Sequence, residues 1–189
     1  MPDAVRVLYV GRVDDMKSVD NLLEATAKVD IPDADPGFHV DIVGDNILNY
    51  GKSLDAYRED AERLGIADRT TFHGWVDYYD LPPYYERGDI FVHPAMWPEP
   101  FGRTIIEAME HDLPIVCTDV GAPPWISRSC GVMYPKHNPN ALARRLEDLI
   151  VDDEYRRQLA ANASAEVERF DPDRVMSQID GLYDEVLSA

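Results

Sequence analysis

The residue types best suited to chemistry lie in two short segments, each following an apolar run that is typical of a strand. The first segment, residues 11–17, carries two cations, Arg12 and Lys17, five residues apart. A guanidinium presents a planar fork of N–H donors and an ammonium acts as a point charge, so the pair could hold a diphosphate. Two surface cations balanced by neighbouring aspartates are the alternative interpretation of the same spacing.

The second segment, residues 93–109, predicts a strand end, a proline-rich loop and a helix that begins near Gly102. A helix N-terminus has unpaired N–H groups and a partial positive charge, which suit an anion, and Thr104 adds a hydroxyl there. Glu107 could accept two hydrogen bonds from a ribose diol, and Glu99 could meet the hydroxyls of a sugar. The spacing of these glutamates proves nothing alone, because 12 glutamates produce about one such pair by chance.

Missing motifs exclude or disfavour several classes of site. The chain has neither G-x-G-x-x-G, the main signature of dinucleotide folds, nor the G-x-x-x-x-G-K-[ST] of phosphate-loop NTPases. No H-x-x-x-H pair occurs, and the D-x-D stretches 33–35 and 171–173 do not follow strands, so we interpret them as turns and caps and expect no metal. Cys117 and Cys130 lack a metal-type spacing and are expected to be free buried thiols rather than a disulfide.

Strand-like and helix-like patterns alternate along the chain. They predict strands at 5–10, 38–43, 70–72, 89–93, 114–118 and 132–134. They predict helices at 19–29, 53–64, 81–87, 102–111, 140–151, 153–169 and 172–187, with a loop at 121–131. The fold class is therefore α/β, a single domain over residues 1–189 with a Rossmann-like parallel sheet of about six strands, helices on both faces and a helical C-terminal extension from about residue 138. Ligands of such sheets bind at the carboxyl ends of the strands, where both segments fall.

The charge balance disfavours polyanionic partners. Asp and Glu number 36 against 18 Lys and Arg, with only 4 Lys, which gives a formal net charge of −18. Nucleic acid and anionic membranes would be repelled by such a chain. An acid excess spread along the chain is typical of proteins from salt-loving archaea, where a Debye length of about 3 Å in molar salt screens the surface carboxylates. An ordinary acidic protein is the alternative.

In the order and spacing of five motifs the chain resembles the nucleotide-sugar-binding half of GT-B glycosyltransferases, specifically the family-4 group of retaining enzymes. The motifs are residues 11–17, 42–45, 72–76, 99–109 and 113–116. Four positions depart from the usual pattern. Ser18 and Asp112 replace glycines, Asn46 replaces the last residue of Gly-Asp-Gly, and Gly121-Ala122 replaces paired glycines.

The resemblance implies a role for each matching residue. Arg12 and Lys17 would bind the donor diphosphate and offset charge on the leaving group, and Glu99 would hold the donor sugar, so these three form the catalytic set. In this family that electrostatic work replaces a divalent metal, so neither a metal nor another cofactor is implied. The implied donor-binding residues are Gly11, Gly44, Asp45, His73, Gly74, Val76, Phe101, Gly102, Arg103, Thr104 and Glu107.

The resemblance also implies a missing half, because GT-B enzymes have an N-terminal acceptor domain that would here be absent or supplied by a partner chain. We therefore expect a donor-binding domain that transfers sugar from a UDP- or GDP-sugar with retention, and little transfer in isolation. Helix 172–187 would cross to the missing domain or engage a neighbouring molecule. No signal-like start or membrane-length apolar run occurs, so a cytoplasmic location is expected, with any membrane association made through the missing domain.

Other functions remain open on the same architecture. A nucleotide-sugar epimerase would release sugar products without an acceptor, and a non-catalytic binding module would bind nucleotide sugars but stay inactive with a matching N-terminal domain. A glycogen-phosphorylase relative would need a pyridoxal-phosphate lysine, and none of the 4 lysines lies in a convincing site. A degenerate remnant is disfavoured because the expected ligand residues are all retained.

We predict that salt stabilises this chain, because the repulsion among its 36 carboxylates falls as ionic strength rises. The melting temperature should be clearly higher in about 2 M KCl than in about 0.1 M KCl, measured by circular dichroism. A melting temperature that is equal or lower in the concentrated salt would contradict the halophilic interpretation.

Overall fold

The computed structural model describes residues 4–31 and 37–188, so the turn predicted at 33–35 lies outside the described residues. Its strands are β1 (Val5–Val10), β2 (Phe38–Val43), β3 (Thr70–Gly74), β4 (Ile90–His93), β5 (Ile115–Thr118) and β6 (Gly131–Tyr134). They form one sheet in the order β3-β2-β1-β4-β5-β6, and every neighbouring pair is parallel. This is the doubly wound Rossmann order, which reverses direction between β1 and β4.

A helix follows most of the strands, and the described chain after β6 contains helices but no further strand. They are α1 (Val19–Thr26), α2 (Leu54–Arg63), α3 (Pro82–Tyr85), α4 (Arg103–Glu110), α5 (Pro123–Ser127), α6 (Pro139–Val151), α7 (Asp153–Val167) and α8 (Pro172–Ser188). Short 3-10 turns lie at Ala67–Arg69, Tyr78–Asp80, Arg128–Cys130 and Glu168–Phe170.

Two apolar layers cover the two faces of the sheet. On one face, alternate strand residues such as Val7 and Val40 pack against α1, α2 and α6. On the other face, residues such as Leu8 and Phe91 pack against α4, α5 and part of α7. Because both faces are covered, the strands are nearly continuous apolar runs, and all four residues of β4 are buried. The α/β fold class with helices on both faces is confirmed.

Most predicted elements are present, and their ends are set by recognisable signals. Strands 5–10 and 38–43 have the predicted bounds. Ser53 caps α2 by accepting a hydrogen bond from the Ala56 N–H at 3.2 Å, and Asn138 caps α6 in the same way. The Asp171 carboxylate accepts from the Arg174 N–H at 2.9 Å, so the stretch 171–173 is the cap that the sequence predicts.

The prediction of a loop at 121–131 is wrong, because these residues contain α5, a 3-10 turn and the first residue of β6. Two consecutive prolines, Pro123 and Pro124, look like helix breakers. They occupy the first helical positions, however, where a missing N–H costs nothing and the fixed φ favours a helix. Strand 70–72 extends to Gly74, and helix 81–87 shortens to α3.

The helical C-terminal part divides into a packed and an exposed portion. Helix α6 packs against α1 and α7 packs against α4, so both belong to the body of the domain. Helix α8, in contrast, is exposed at every described residue. One side of it carries Val175, Met176, Ile179, Leu182, Tyr183, Val186 and Leu187. Among the described helices, none combines the length and apolar composition that crossing a bilayer requires.

The ends of β1 and β2 approach each other so closely that Gly44 has no room for a side chain. Its N–H donates to the Gly74 carbonyl at 2.8 Å, and the Gly11 N–H donates to the Val43 carbonyl at 3.0 Å. A Cβ atom on Gly44 would lie 1.8 Å from the Gly11 carbonyl oxygen, and its φ of +129° is strained for other residues.

We predict that Gly44→Ala lowers the free energy of unfolding by at least about 2 kcal/mol, because it combines backbone strain with a clash. Gly65→Ala is the matched control: Gly65 has φ +71°, but a Cβ atom added there would have no neighbouring atom within 4 Å. It should cost only about 1 kcal/mol. Urea unfolding measures both, and equal losses would contradict the close approach at Gly44.

Candidate functional site

A cleft of ≈720 Å³ opens at the carboxyl ends of the strands, at the point where the strand order reverses. It brings together twelve of the residues singled out in the sequence. These are Gly11, Arg12, Lys17, Gly44, Asp45, Val76, Glu99, Phe101, Gly102, Arg103, Thr104 and Glu107. The remaining two, His73 and Gly74, do not line it. Segments that follow several different strands therefore converge, as the parallel topology requires.

The first loop is organised by a carboxylate that is completely buried. Asp14 Oδ1 accepts hydrogen bonds from the backbone N–H groups of Met16 and Lys17, both at 3.1 Å. Its other oxygen, Oδ2, lies 3.2 Å from Nη1 of Arg12. The two backbone hydrogen bonds and the ion pair stabilise one loop conformation, because a buried carboxylate is costly without partners. Oδ2 accepts no hydrogen bond from the described residues, so the Arg12 ion pair is what offsets its burial. Asp14 thus bonds the backbone at Lys17 and forms an ion pair with the Arg12 side chain, although the sequence alone suggested only a surface counter-ion.

Two departures from the resembled family fall at left-handed backbone positions. Ser18 has φ +54° and Asp112 has φ +58°, where the family has glycine. Each costs about 1 kcal/mol relative to glycine. A hydrogen bond partly compensates each cost: the Ser18 hydroxyl donates to the nearby Asp15 carbonyl at 3.3 Å, and the Asp112 carboxylate accepts from Ser164 on α7. Each of the two positions therefore keeps the left-handed backbone conformation that glycine adopts readily.

An ion pair joins the two sides of the cleft. Lys17 Nζ donates to Glu99 Oε1, and the two side chains are only 17% and 16% exposed. The Glu99 backbone is held in turn by the loop after β5, because its carbonyl accepts from the Ala122 N–H at 2.8 Å. Gly121, at φ +72°, lies so close that a Cβ atom would be 2.7 Å from the Glu99 nitrogen. The Gly121-Ala122 turn therefore positions a glutamate more than twenty residues away.

The N-terminus of α4 points its unpaired backbone groups at the cleft. Gly102 is its N-cap, no side chain caps the first turn, and no acidic residue lies there. The free N–H groups and the helix dipole together favour an anion. Further along α4, the carboxylate of Glu107 accepts a hydrogen bond from the Tyr85 hydroxyl at 2.7 Å. Tyr85 was not singled out in the sequence, because nothing local connects it to Glu107.

His73 and Gly74 are committed to other contacts. The Nε2 atom of His73 lies 2.7 Å from Oδ1 of Asp41, whose Oδ2 pairs with Arg6 at 2.8 Å. The Gly74 carbonyl already accepts the Gly44 N–H. The cleft is lined instead by residues just beyond them, from Trp75 to Tyr78. A role for the His73 and Gly74 backbone toward a nucleobase remains a prediction.

Several cleft residues carry no clear sequence signal. Trp75 and Tyr78 are 60% and 63% exposed, which a sequence pattern does not reveal for an aromatic residue. His93 ends the buried strand β4, is 4% exposed and lines the cleft. Burial and the nearby Lys17 cation lower its pKa to about 3, so the imidazole stays neutral. Its position as a polar residue at the end of an apolar strand is the signal that could have found it.

The two cysteines are unreactive thiols, and the acidic residues that the structure describes form no metal site. Cys117 and Cys130 are free and buried, as predicted, and burial raises the pKa of each thiol to about 12. Such thiols are unreactive at neutral pH. Within residues 4–31 and 37–188, no group of three or more His, Cys, Asp or Glu side chains could hold a metal ion.

Comparison with known proteins identifies the family. A family model described as "Glycosyl transferases group 1" matches residues 2–166. The chain belongs to this family. D-inositol 3-phosphate glycosyltransferase of Streptomyces bingchenggensis is 30% identical over 192 residues, which cover 98% of this chain and 42% of that protein. The chain thus spans less than half the length of this curated group 1 glycosyltransferase.

Solved structures show the same fold. Sucrose-phosphate synthase from Thermosynechococcus elongatus superimposes with a TM-score of 0.82 and 28% identity, over 100% of this chain and 47% of that one. Anabaena HepE, 25% identical, superimposes with TM-scores of 0.85 in complex with UDP and 0.83 in complex with UDP-glucose, each over 97% of this chain and 49% of that one. The group 1 chain therefore forms the Rossmann-like half of a GT-B glycosyltransferase fold.

We predict that Asp14→Ala lowers the free energy of unfolding by about 2–3 kcal/mol, because two backbone N–H groups lose their acceptor and the Arg12 guanidinium loses its ion-pair partner. Asp14→Asn keeps one acceptor oxygen and should cost about half as much. Chemical denaturation of the two variants and the parent measures both losses. Equal losses would show that the charge, and not the loop hydrogen bonds, is what Asp14 contributes.

Proposed function

We propose that this chain is the donor-binding half of a retaining, family-4 type glycosyltransferase that takes its sugar from a nucleoside diphosphate sugar. The supporting observation is the cleft at the strand-order reversal, which gathers two cations, two glutamates and an uncapped helix N-terminus from separate segments. These groups match the parts of such a donor: anionic phosphates, sugar hydroxyls and a ribose diol. The UDP and UDP-glucose complexes of HepE support the same ligand class.

The cationic end of the cleft suits the phosphates and the bond that breaks. In transfer, the bond between the anomeric carbon and the phosphate oxygen breaks, and the nucleoside diphosphate leaves with added negative charge. Arg12 and Lys17 lie where they would stabilise that charge, and the α4 N-terminus would add backbone donors. This electrostatic set is able to act without a divalent metal.

Glu99 and Glu107 are suited to accept hydrogen bonds from the donor's hydroxyl groups. Those of the sugar lie on one side of the diphosphate, and those of the ribose lie on the other. Glu99 uses one oxygen for Lys17 and has a second with which to accept from the donor sugar. Glu107 lies further along α4 and lines the same cleft as Val76 and the exposed rings of Trp75 and Tyr78, which offer an apolar wall for the nucleobase. The ligand would therefore lie with its base near β3 and its sugar near Lys17.

The acceptor and the second half of the catalytic site belong to an N-terminal domain that this chain does not include. The chain covers 42% to 49% of the three proteins compared above, which supports this part of the proposal. The exposed apolar side of α8 is available to contact that domain. We propose that the complete enzyme is cytoplasmic and that it comes from a halophilic organism, the latter supported by the acidic composition.

Calorimetric titration of UDP, GDP and ADP, and of their sugar conjugates, tests the proposal in molar salt. One nucleotide should bind saturably, and Arg12→Ala and Glu107→Ala should each weaken it at least about tenfold, because each removes a charge-assisted hydrogen bond. EDTA should leave the affinity unchanged, since the cations replace a metal.

Arg144→Ala is the matched control for charge, because Arg144 is exposed on α6 and outside the cleft. It should bind the nucleotide like the parent chain. A folded protein that binds none of the nucleotides would contradict the donor-site proposal. Binding without transfer after addition of a matching N-terminal domain would instead indicate a non-catalytic binding module.

A further inference from the structure

We propose that Tyr85 is a positioning residue that orients Glu107 toward the ribose hydroxyls, and that this contact makes the site prefer ribonucleotides to 2′-deoxyribonucleotides. The inference rests on the proposed function, since it concerns the nucleoside end of the same cleft. It assigns a role to a residue that does not line the cleft itself.

The contact is a single, well-defined hydrogen bond between two helices. The Tyr85 hydroxyl on α3 donates to Oε2 of Glu107 on α4 at 2.7 Å. Tyr85 is 2% exposed. Burial and the bond to Glu107 both raise the pKa of the phenol, so it remains protonated and acts as a donor to the carboxylate.

This bond leaves the rest of the Glu107 carboxylate open to a ligand. No described cation forms an ion pair with Glu107, and no second described donor contacts its side chain. An ionised carboxylate only accepts hydrogen bonds, so its free oxygen matches hydroxyl donors and not phosphates. With Oε2 held by Tyr85, the remaining oxygen, Oε1, is the one available at the cleft wall.

Tyr85 can orient Glu107 because its own ring is held in place. The ring stacks on His111, with centroids 5.2 Å apart and planes at 23°, and packs against Phe91 in the core. His111 Nδ1 lies 2.8 Å from the Glu107 carbonyl oxygen, one turn earlier on α4. The backbone and the side chain of Glu107 are therefore both tied to this cluster.

A fixed orientation of the Glu107 carboxylate raises the affinity for ligands that bind to it more than for ligands that do not. A free glutamate side chain samples several rotamers, and ordering one on binding costs conformational entropy. The Tyr85 bond keeps the carboxylate ordered beforehand, which strengthens its bonds to a ribose diol. A ligand lacking the 2′-hydroxyl gains less from this ordering.

The experiment compares Tyr85→Phe with the parent chain, titrating the nucleoside diphosphate that binds best, its 2′-deoxy counterpart and inorganic pyrophosphate. Tyr85→Phe keeps the ring and removes only the hydroxyl. We expect ribonucleotide affinity to fall about three- to tenfold, the ribose-to-deoxyribose ratio to shrink toward one, and pyrophosphate affinity to stay unchanged. The effect should disappear in a Glu107→Gln background, because the two groups act as one unit.

Tyr84→Phe is the matched control, being the same chemical change at the neighbouring residue, whose ring contacts His73 and Arg87. It should leave the affinity ratio unchanged. Equal loss of all three ligands in Tyr85→Phe, or an unchanged ribose preference, would overturn the inference while nucleotide binding by the parent still supports the donor site. A parent chain that binds no nucleotide would overturn the proposed function and this inference together.

Discussion

The reversal of strand order between β1 and β4 is the constraint on which the rest of the molecule depends. On one side of this point the crossover helices cover one face of the sheet, and on the other side they cover the opposite face. The carboxyl ends of β1 and β4 are therefore left uncovered by either helix layer. The charged groups of the candidate site reach the cleft from loops, and from the start of α4, that follow strand ends at this edge of the sheet.

Those loops hold their shape through short-range bonds. Gly44 allows two strand ends to meet, Gly121 allows the β5 loop to approach the Glu99 backbone, and the buried Asp14 carboxylate bonds the loop that carries both cations. Ser18 and Asp112 also have left-handed backbone conformations, which glycine would adopt at a lower free-energy cost. Backbone geometry therefore sets the shape of the loops, and the loops in turn position the charged side chains.

Cations line the cleft of this acidic chain, although carboxylates line it too. A net charge of −18 would repel the proposed anionic donor at long range, while Arg12, Lys17 and the α4 N-terminus would attract it at contact distance. At 1 M salt the Debye length is about 3 Å, so the long-range repulsion is screened. Interactions of partly buried groups are screened much less. An acidic surface is thus compatible with the proposed binding of an anionic donor in concentrated salt, where contact interactions would decide the affinity.

The sequence by itself determined the periodic elements and the residue types in the loops, because both are local. Apolar runs identified β1 and β2 to the residue, and the sequence proposed Arg12, Lys17, Glu99 and Glu107 as site candidates, which the fold gathers at one cleft. Only the tertiary structure decided which side chains meet: Lys17 with Glu99 across 82 residues, and His73 with Asp41 across 32. Such contacts depend on strand order and helix packing, which no short window of sequence encodes.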